Sequence, residues 1–163
     1  MSMSDLVILE GDYSSFTKIL EKLGRDSNSK LVFLLDKNGQ QIASAGDLDG
    51  IDPTSLASLT AGNVAATEGL AQLVGEQEFS ILFHEGQNEN LHINVVGGRA
   101  ILLVQFDERS SLGLVRLRVK KASVDLNAVL EDIEARSEAQ RAATVGSSPF
   151  SEITDDDIDA LFS

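Results

Sequence analysis

Between Asp52 and Gly75 the chain carries a helical signal whose four-residue repeat is filled by small residues: Ala57, Ala61, Ala65 and Gly69, with Gly62 and Ala66 beside them. Asp52 is placed to cap this helix, Pro53 suits its first turn, and Gly75 marks its end near Val74. Glycine inside a helix costs roughly 1 kcal/mol relative to alanine. Keeping two of them, Gly62 and Gly69, implies that the smooth surface is used, because small side chains let another backbone come close. A larger face, Leu56, Leu59, Leu70 and Leu73, is available to pack on a sheet. That leaves the small face for a second helix, most economically its own copy across a two-fold axis. The alternative is that the helix merely lies flat on the chain's own sheet.

The flanking patterns say what kind of sheet this is. Tyr13, Phe16, Leu20 and Leu23 recur at three- and four-residue steps, predicting a helix capped by Asp12 or Ser14 and stopped at Gly24. Lys30–Asp36 and Gln41–Ser44 flank Asn38-Gly39, a pair that tolerates the positive φ of a tight hairpin. Three strands are expected after the small-sided helix. Phe79–His84 is the first, and Leu91, Ile93 and Val95 alternating with His92 and Asn94 give a second with one buried and one polar face. Gly97-Gly98 turns into the apolar run Ala100–Phe106. Leu112, Val115, Val119, Ala122, Leu126, Val129 and Ile133 then sustain a long helix starting near Ser111. Helix, two strands, helix, three strands, helix is an α+β arrangement with a largely antiparallel sheet. We expect one domain over residues 1–136. Periodicity fades from Arg136 to Pro149, so 137–149 is read as a flexible linker and 150–163 as a separate tail.

Several function classes are disfavoured. With zero cysteines among 163 residues there is neither a disulfide framework nor thiolate chemistry. No apolar run approaches the ~18 residues of a membrane span. The start, Met1-Ser2-Met3-Ser4-Asp5, lacks the basic region and cleavage site of a signal peptide, so a cytoplasmic protein is expected. A net charge of -13 repels nucleic-acid phosphates and anionic lipids, so neither nucleic acid nor membrane is an expected partner. The only two histidines, His84 and His92, stand on predicted strands with no carboxylate at a metal-binding spacing, and read as surface or edge-strand residues. There is no Gly-x-Ser-x-Gly elbow and no phosphate-binding Gly-x-x-x-x-Gly-Lys loop. No catalytic residue, metal or cofactor is expected.

What remains is charge set in surfaces. Arg116, Arg118, Lys120 and Lys121 form a basic cluster at the start of the last helix. The tail holds Glu152, Asp155, Asp156, Asp157 and Asp159 with no Lys or Arg, and Ile158, Leu161 and Phe162 fall on one helical face. Thr154 and Asp157 make a variant of the capping box there. So short a helix is marginal alone and gains order by docking its apolar face in a groove. The bland alternative is an acidic tail that aids solubility.

Asp52–Ala66 and Ser111–Ala122 resemble the interface helix and the start of the last helix of MglB-type members of the Roadblock/dynein light chain family. Lys37-Asn38-Gly39-Gln40, Phe83-His84-Glu85-Gly86 and the tail Asp155–Phe162 are similar to further segments of that family, so the likeness spans nearly the whole chain. It implies a five-stranded antiparallel sheet with the second helix on one face and the other two helices opposite. It also implies a homodimer, paired through the second helix and an adjoining strand, whose two sheets run on as one. The resemblance further implies a partner, a Ras-like MglA-type GTPase of bacterial polarity and motility, with enrichment at a cell pole. One GTPase would sit on the two second helices, its hydrolysis stimulated by placement of its switch loops without an arginine finger. The tail would add a contact that promotes nucleotide exchange. Two other readings stay open: a scaffold dimer without stimulation, and a tail that tethers a response regulator, since Asp156–Phe162 also resembles a receiver-binding peptide of flagellar switch proteins.

Overall fold

The computed structural model describes residues 6–147. In chain order they form α1 (Glu10–Ser27), β1 (Leu31–Asp36), β2 (Gln41–Gly46), α2 (Pro53–Leu73), β3 (Ile81–Glu85), β4 (Asn90–Val96), β5 (Ala100–Phe106) and α3 (Leu112–Ser147). The strands make one antiparallel sheet in the order β2-β1-β5-β4-β3. β1 and β5 are central and nearly every residue in them is buried, which is why they read as unbroken apolar runs.

Alternate residues of these strands feed two separate cores. Val32, Leu34, Leu102, Val104 and Phe106 pack with Phe16 and Leu20 of α1 and with Val119, Leu126 and Leu130 of α3. Leu31, Phe33, Ile93, Ile101 and Leu103 pack with Ala57, Ala61 and Val64 of α2. The sheet therefore carries α2 on one face and α1 with α3 on the other. The β1–β2 hairpin is held by Asp36, whose Oδ1 accepts from the backbone N–H groups of Asn38 at 2.9 Å and Gln40 at 3.0 Å. Gly39 lies at φ +91°, and a Cβ there would stand 3.4 Å from the Ser58 Cα of α2, so turn geometry and helix approach both call for glycine.

Four expectations are corrected. α1 begins at Glu10, with Leu9 at the cap position and its N–H donating to Asp12 Oδ2 at 2.7 Å, so Asp12 serves from the third helical position. Gly24 lies inside α1, and the helix ends at Asn28, which takes the left-handed conformation (φ 52°). Asn28 is fixed there because its Nδ2 donates to the Arg109 carbonyl at 2.7 Å. β4 is not half-exposed: as an inner strand it has helices over both faces, and His92 is 1% exposed. Finally, residues 137–147 continue α3 as helix and are not a linker. Ser137 explains part of this, being buried and accepting the Val7 N–H on its Oγ at 2.9 Å, which ties α3 to the segment before α1. Val145–Ser147 aside, helix propensity carries the rest, since 138–144 is mostly Ala, Glu, Gln and Arg.

Candidate functional site: the outer face of α2 and the edge of β3

Asp52 caps α2 through its Oδ1, which accepts from the Thr54 N–H at 3.3 Å, and through its Oδ2, which accepts from the Ser55 hydroxyl at 2.6 Å. The Ser55 hydroxyl, followed by the backbone N–H groups of Thr54 and Ser55, holds the Asp52 carboxyl below its usual range. With Pro53 in its first turn, α2 starts at a fixed point, and this sets which residues face the sheet.

Ala57, Thr60, Ala61, Val64 and Ala71 face inward and are buried. Leu59 is 74% exposed, Leu70 59% and Leu73 84%, with Val74 at 67% just past the helix. The expected division into a leucine face inward and a small face outward holds only for Leu56 and for Gly62, Ala65, Ala66 and Gly69; Leu59, Leu70 and Leu73 are outside it, and so are Ala57 and Ala61. Helical geometry supplies the reason. Each residue turns the helix by ~100°, so four-residue steps drift by ~40°. Along the repeat, Ala57 and Ala61 press on the sheet while Ala65 and Gly69 have rotated out and are exposed beside Gly62 and Ala66. Leu56 alone of the leucine set packs on the sheet core. A Cβ built at Gly62 or Gly69 meets nothing within 4 Å. Nothing within the described chain requires either glycine, and their cost to the helix has no explanation among the described residues.

β3 adjoins this face as the last strand of the sheet, paired only with β4. Asn63 Nδ2 of α2 lies 2.8 Å from His84 Nε2 of β3, and Lys37 pairs with Glu68 of α2 at 2.6 Å and Glu78 at 3.7 Å. His84 is thus an exposed edge-strand residue, as expected. Ile81 and Phe83 are exposed on the other face of this strand, toward α3, where Phe83 stacks on Phe106 at 6.1 Å. An open strand edge beside an apolar helix face is a template for pairing with another chain.

The basic cluster is not one patch. Arg116 and Lys120 flank a groove toward β3 and β4, whereas Arg118 and Lys121 border a different groove between α3 and α1. Residues 116 and 118 stand ~200° apart on a helix, which separates them. In the α1 groove Asp26 accepts from Lys22 at 2.6 Å; that bond, then the nearby Lys22, Arg118 and Lys121 charges, hold its carboxyl below the usual range. All four cations lie on the α1/α3 side of the sheet, away from α2. The tail residues Ile158, Leu161 and Phe162 lie outside the described residues. Among the described residues no three His, Asp or Glu side chains are grouped to hold a metal, and no helix is long and apolar enough to cross a membrane.

The sequence signal missed Leu59, Leu70 and Leu73 as surface residues. Their placement follows once the inward face is known: they lie across the helix from Ala57, Val64 and Ala71.

Residues 16–106 match the family model described as the Roadblock/LC7 domain. Among solved structures, the chain is similar to Myxococcus xanthus MglB, with 54% identity and a TM-score of 0.74 over 78% of this chain and 96% of that one. It is also similar to a gliding protein, MglB, from Thermus thermophilus, at 34% identity and a TM-score of 0.71 with the same two coverages, 78% and 96%. A structure described as MglB with tetrameric arrangement gives 32% identity and a TM-score of 0.72, again over 78% and 96%. No curated protein gives a significant match.

Proposed function

The chain belongs to the Roadblock/LC7 family, and from that premise we propose that it is a regulator of a small Ras-like GTPase of the MglA type, acting as a homodimer in cell polarity and motility. The observation that carries this reading is the outer face of α2: Leu59, Leu70 and Leu73 exposed around Gly62 and Gly69, which no intrachain contact requires. Two copies joined along β3 continue their sheets into one and set two α2 helices side by side as a platform for a single GTPase.

Stimulation of hydrolysis on such a platform proceeds by holding the GTPase switch loops, so that the GTPase's own residues meet the attacking water. An arginine finger is the usual alternative, worth ~10³–10⁵ in rate. α2 contains neither Lys nor Arg from Pro53 to Leu73, and Arg116 and Arg118 stand on the opposite side of the sheet. The platform therefore offers shape and apolar contact, not a cation. The tail, Asp155–Phe162, adds a second contact on the GTPase that promotes exchange.

The test is GTP hydrolysis by the MglA-type GTPase of the same source with increasing amounts of this chain. Stimulation saturating near two chains per GTPase is expected. Binding without stimulation would make the protein a scaffold. Replacing Ala65 and Gly69 by Arg should abolish the effect, and stimulation retained by that variant would refute the platform.

A further inference from the structure

The groove between α3 and the outer strands β3 and β4, about 470 Å³, has no role in the reading above. Its floor is His92, 1% exposed, with neither ring nitrogen hydrogen-bonded within the chain. Arg116 and Lys120 stand one helical turn apart on the rim, both exposed, and neither makes an ion pair among the described residues. Ile81 (47% exposed) and Leu117 (62%) supply apolar walls, and no carboxylate lines the groove. The neighbouring groove between α1 and α3 differs in this respect, since Asp26 and Asp125 already offset its cations.

A ligand for such a groove is an acidic peptide with large apolar side chains. We propose that this is a docking site for the C-terminal segment Glu152–Phe162 supplied by a second copy of this chain. That segment has five carboxylates, no cation, and the apolar residues Ile158, Leu161 and Phe162. Charge complementarity selects the site, and chain length selects the copy. Lys120 lies 27 residues before Ser147 in a continuous helix, ~40 Å along its axis. Asp157 lies 10 residues beyond Ser147 and can extend at most ~35 Å back, and Asp159, the last carboxylate, spans ~42 Å only with every intervening residue fully extended and no turn. The same chain's tail therefore reaches Lys120 only by giving up the helix that aligns Ile158, Leu161 and Phe162, whereas that of a second copy meets no such limit. Occupation withdraws the tail from other partners, so the groove and any tail-binding partner compete. The inference needs no GTPase, so its outcome is separate from that of the hydrolysis test.

The chain's lack of cysteine makes the test direct. Ser123→Cys at the groove and Ala160→Cys in the tail are introduced together in the full chain and joined by a short bis-maleimide. We expect covalent dimers, absent from either single variant. Arg116→Glu with Lys120→Glu should reduce them about tenfold, as expected for two reversed rim pairs. Reversing the tail as well, by Asp155→Lys, Asp156→Lys and Asp157→Lys, should restore them, which only direct pairing would do. Linkage confined within single chains, equal linkage in a single-cysteine control, linkage unmoved by the rim reversals, or no rescue by the tail reversal would each overturn the proposal.

Discussion

On one face of the sheet, α1 and α3 bury Phe16, Leu20, Val119, Leu126 and Leu130 and are pinned at their ends. Arg136 pairs with Asp12, Arg99 with Glu134, and the Ser110 hydroxyl donates to the Ser27 carbonyl. On the other face α2 covers the sheet with Leu48 and Ile51 of the loop before it, mostly through Ala57, Ala61 and Val64, while three of its leucines point to solvent. Burial stabilises in proportion to apolar area, so the first face supplies most of the chain's stability. The second gives up part of that gain to leave a low, apolar surface open. On the proposed reading, one sheet thus separates holding the fold from meeting a partner.

Deleting one large side chain from each face tests this division most strongly. Phe16→Ala empties a site with 0% exposure and should cost ~3–5 kcal/mol in denaturant unfolding. Leu73→Ala, at 84% exposure, should stay within ~0.5 kcal/mol in a diluted, monomeric sample. Equal losses would mean that α2's outer face is part of the fold after all.

The outer face of α2 is tested as a recognition surface by Leu59→Asp with Leu73→Asp. Self-association measured by sedimentation should weaken about 100-fold, because truncating or charging the centre of an apolar interface removes most of its binding energy. Helix content by circular dichroism should not change. An unaltered dimer would place the interface elsewhere.

A smaller effect comes from two alanines four residues apart. Ala61→Leu forces extra atoms against the sheet at a position 8% exposed and should cost ~1–3 kcal/mol. Ala65→Leu should be neutral within ~0.5 kcal/mol, since Ala65 has rotated to the exposed side. A reversed order would mean that the drift around α2 has been misread.

Much of this architecture was legible in the sequence because its signals are local. Asp52-Pro53 and Gly75 bracket α2 within a residue of where it lies, and the run Ala100–Phe106 is β5 without adjustment. The orientation of α2 was not legible from residue size, because size does not say which face the cap has turned to the sheet. The buried state of His92 was hidden for a related reason. An alternating strand reads as half-exposed, and only the sheet order, with β3 outside β4 and α3 above, covers its polar side. Arg116–Lys121 read as one patch because they are neighbours in sequence, which does not make them neighbours in space. On a helix they divide between two grooves, and the candidate site on α3 changes meaning accordingly.

The smallest predicted effect tests whether the pinned face is as closed as its packing implies. Burial, and then the charge of Arg116, push the His92 imidazole below its ordinary value of 6.5. As pH falls past 6.5 the unfolded chain takes up a proton that the folded one refuses, so stability declines as pH drops. The decline starts near pH 6.5 and levels off once the pH passes the lowered folded value. The carboxyls of Asp26, Asp52 and Asp107 are also held below their ordinary 3.8, and what they contribute is lost only in more acid solution. The interval just below pH 6.5 therefore belongs to His92 among these groups. At pH 6 the loss should be no more than about 1 kcal/mol relative to pH 8, read from denaturant midpoints. His92→Leu should flatten the profile over that interval. An unchanged slope in that variant would show that water reaches the ring, and that the face under α3 is looser than α1 and α3 make it look.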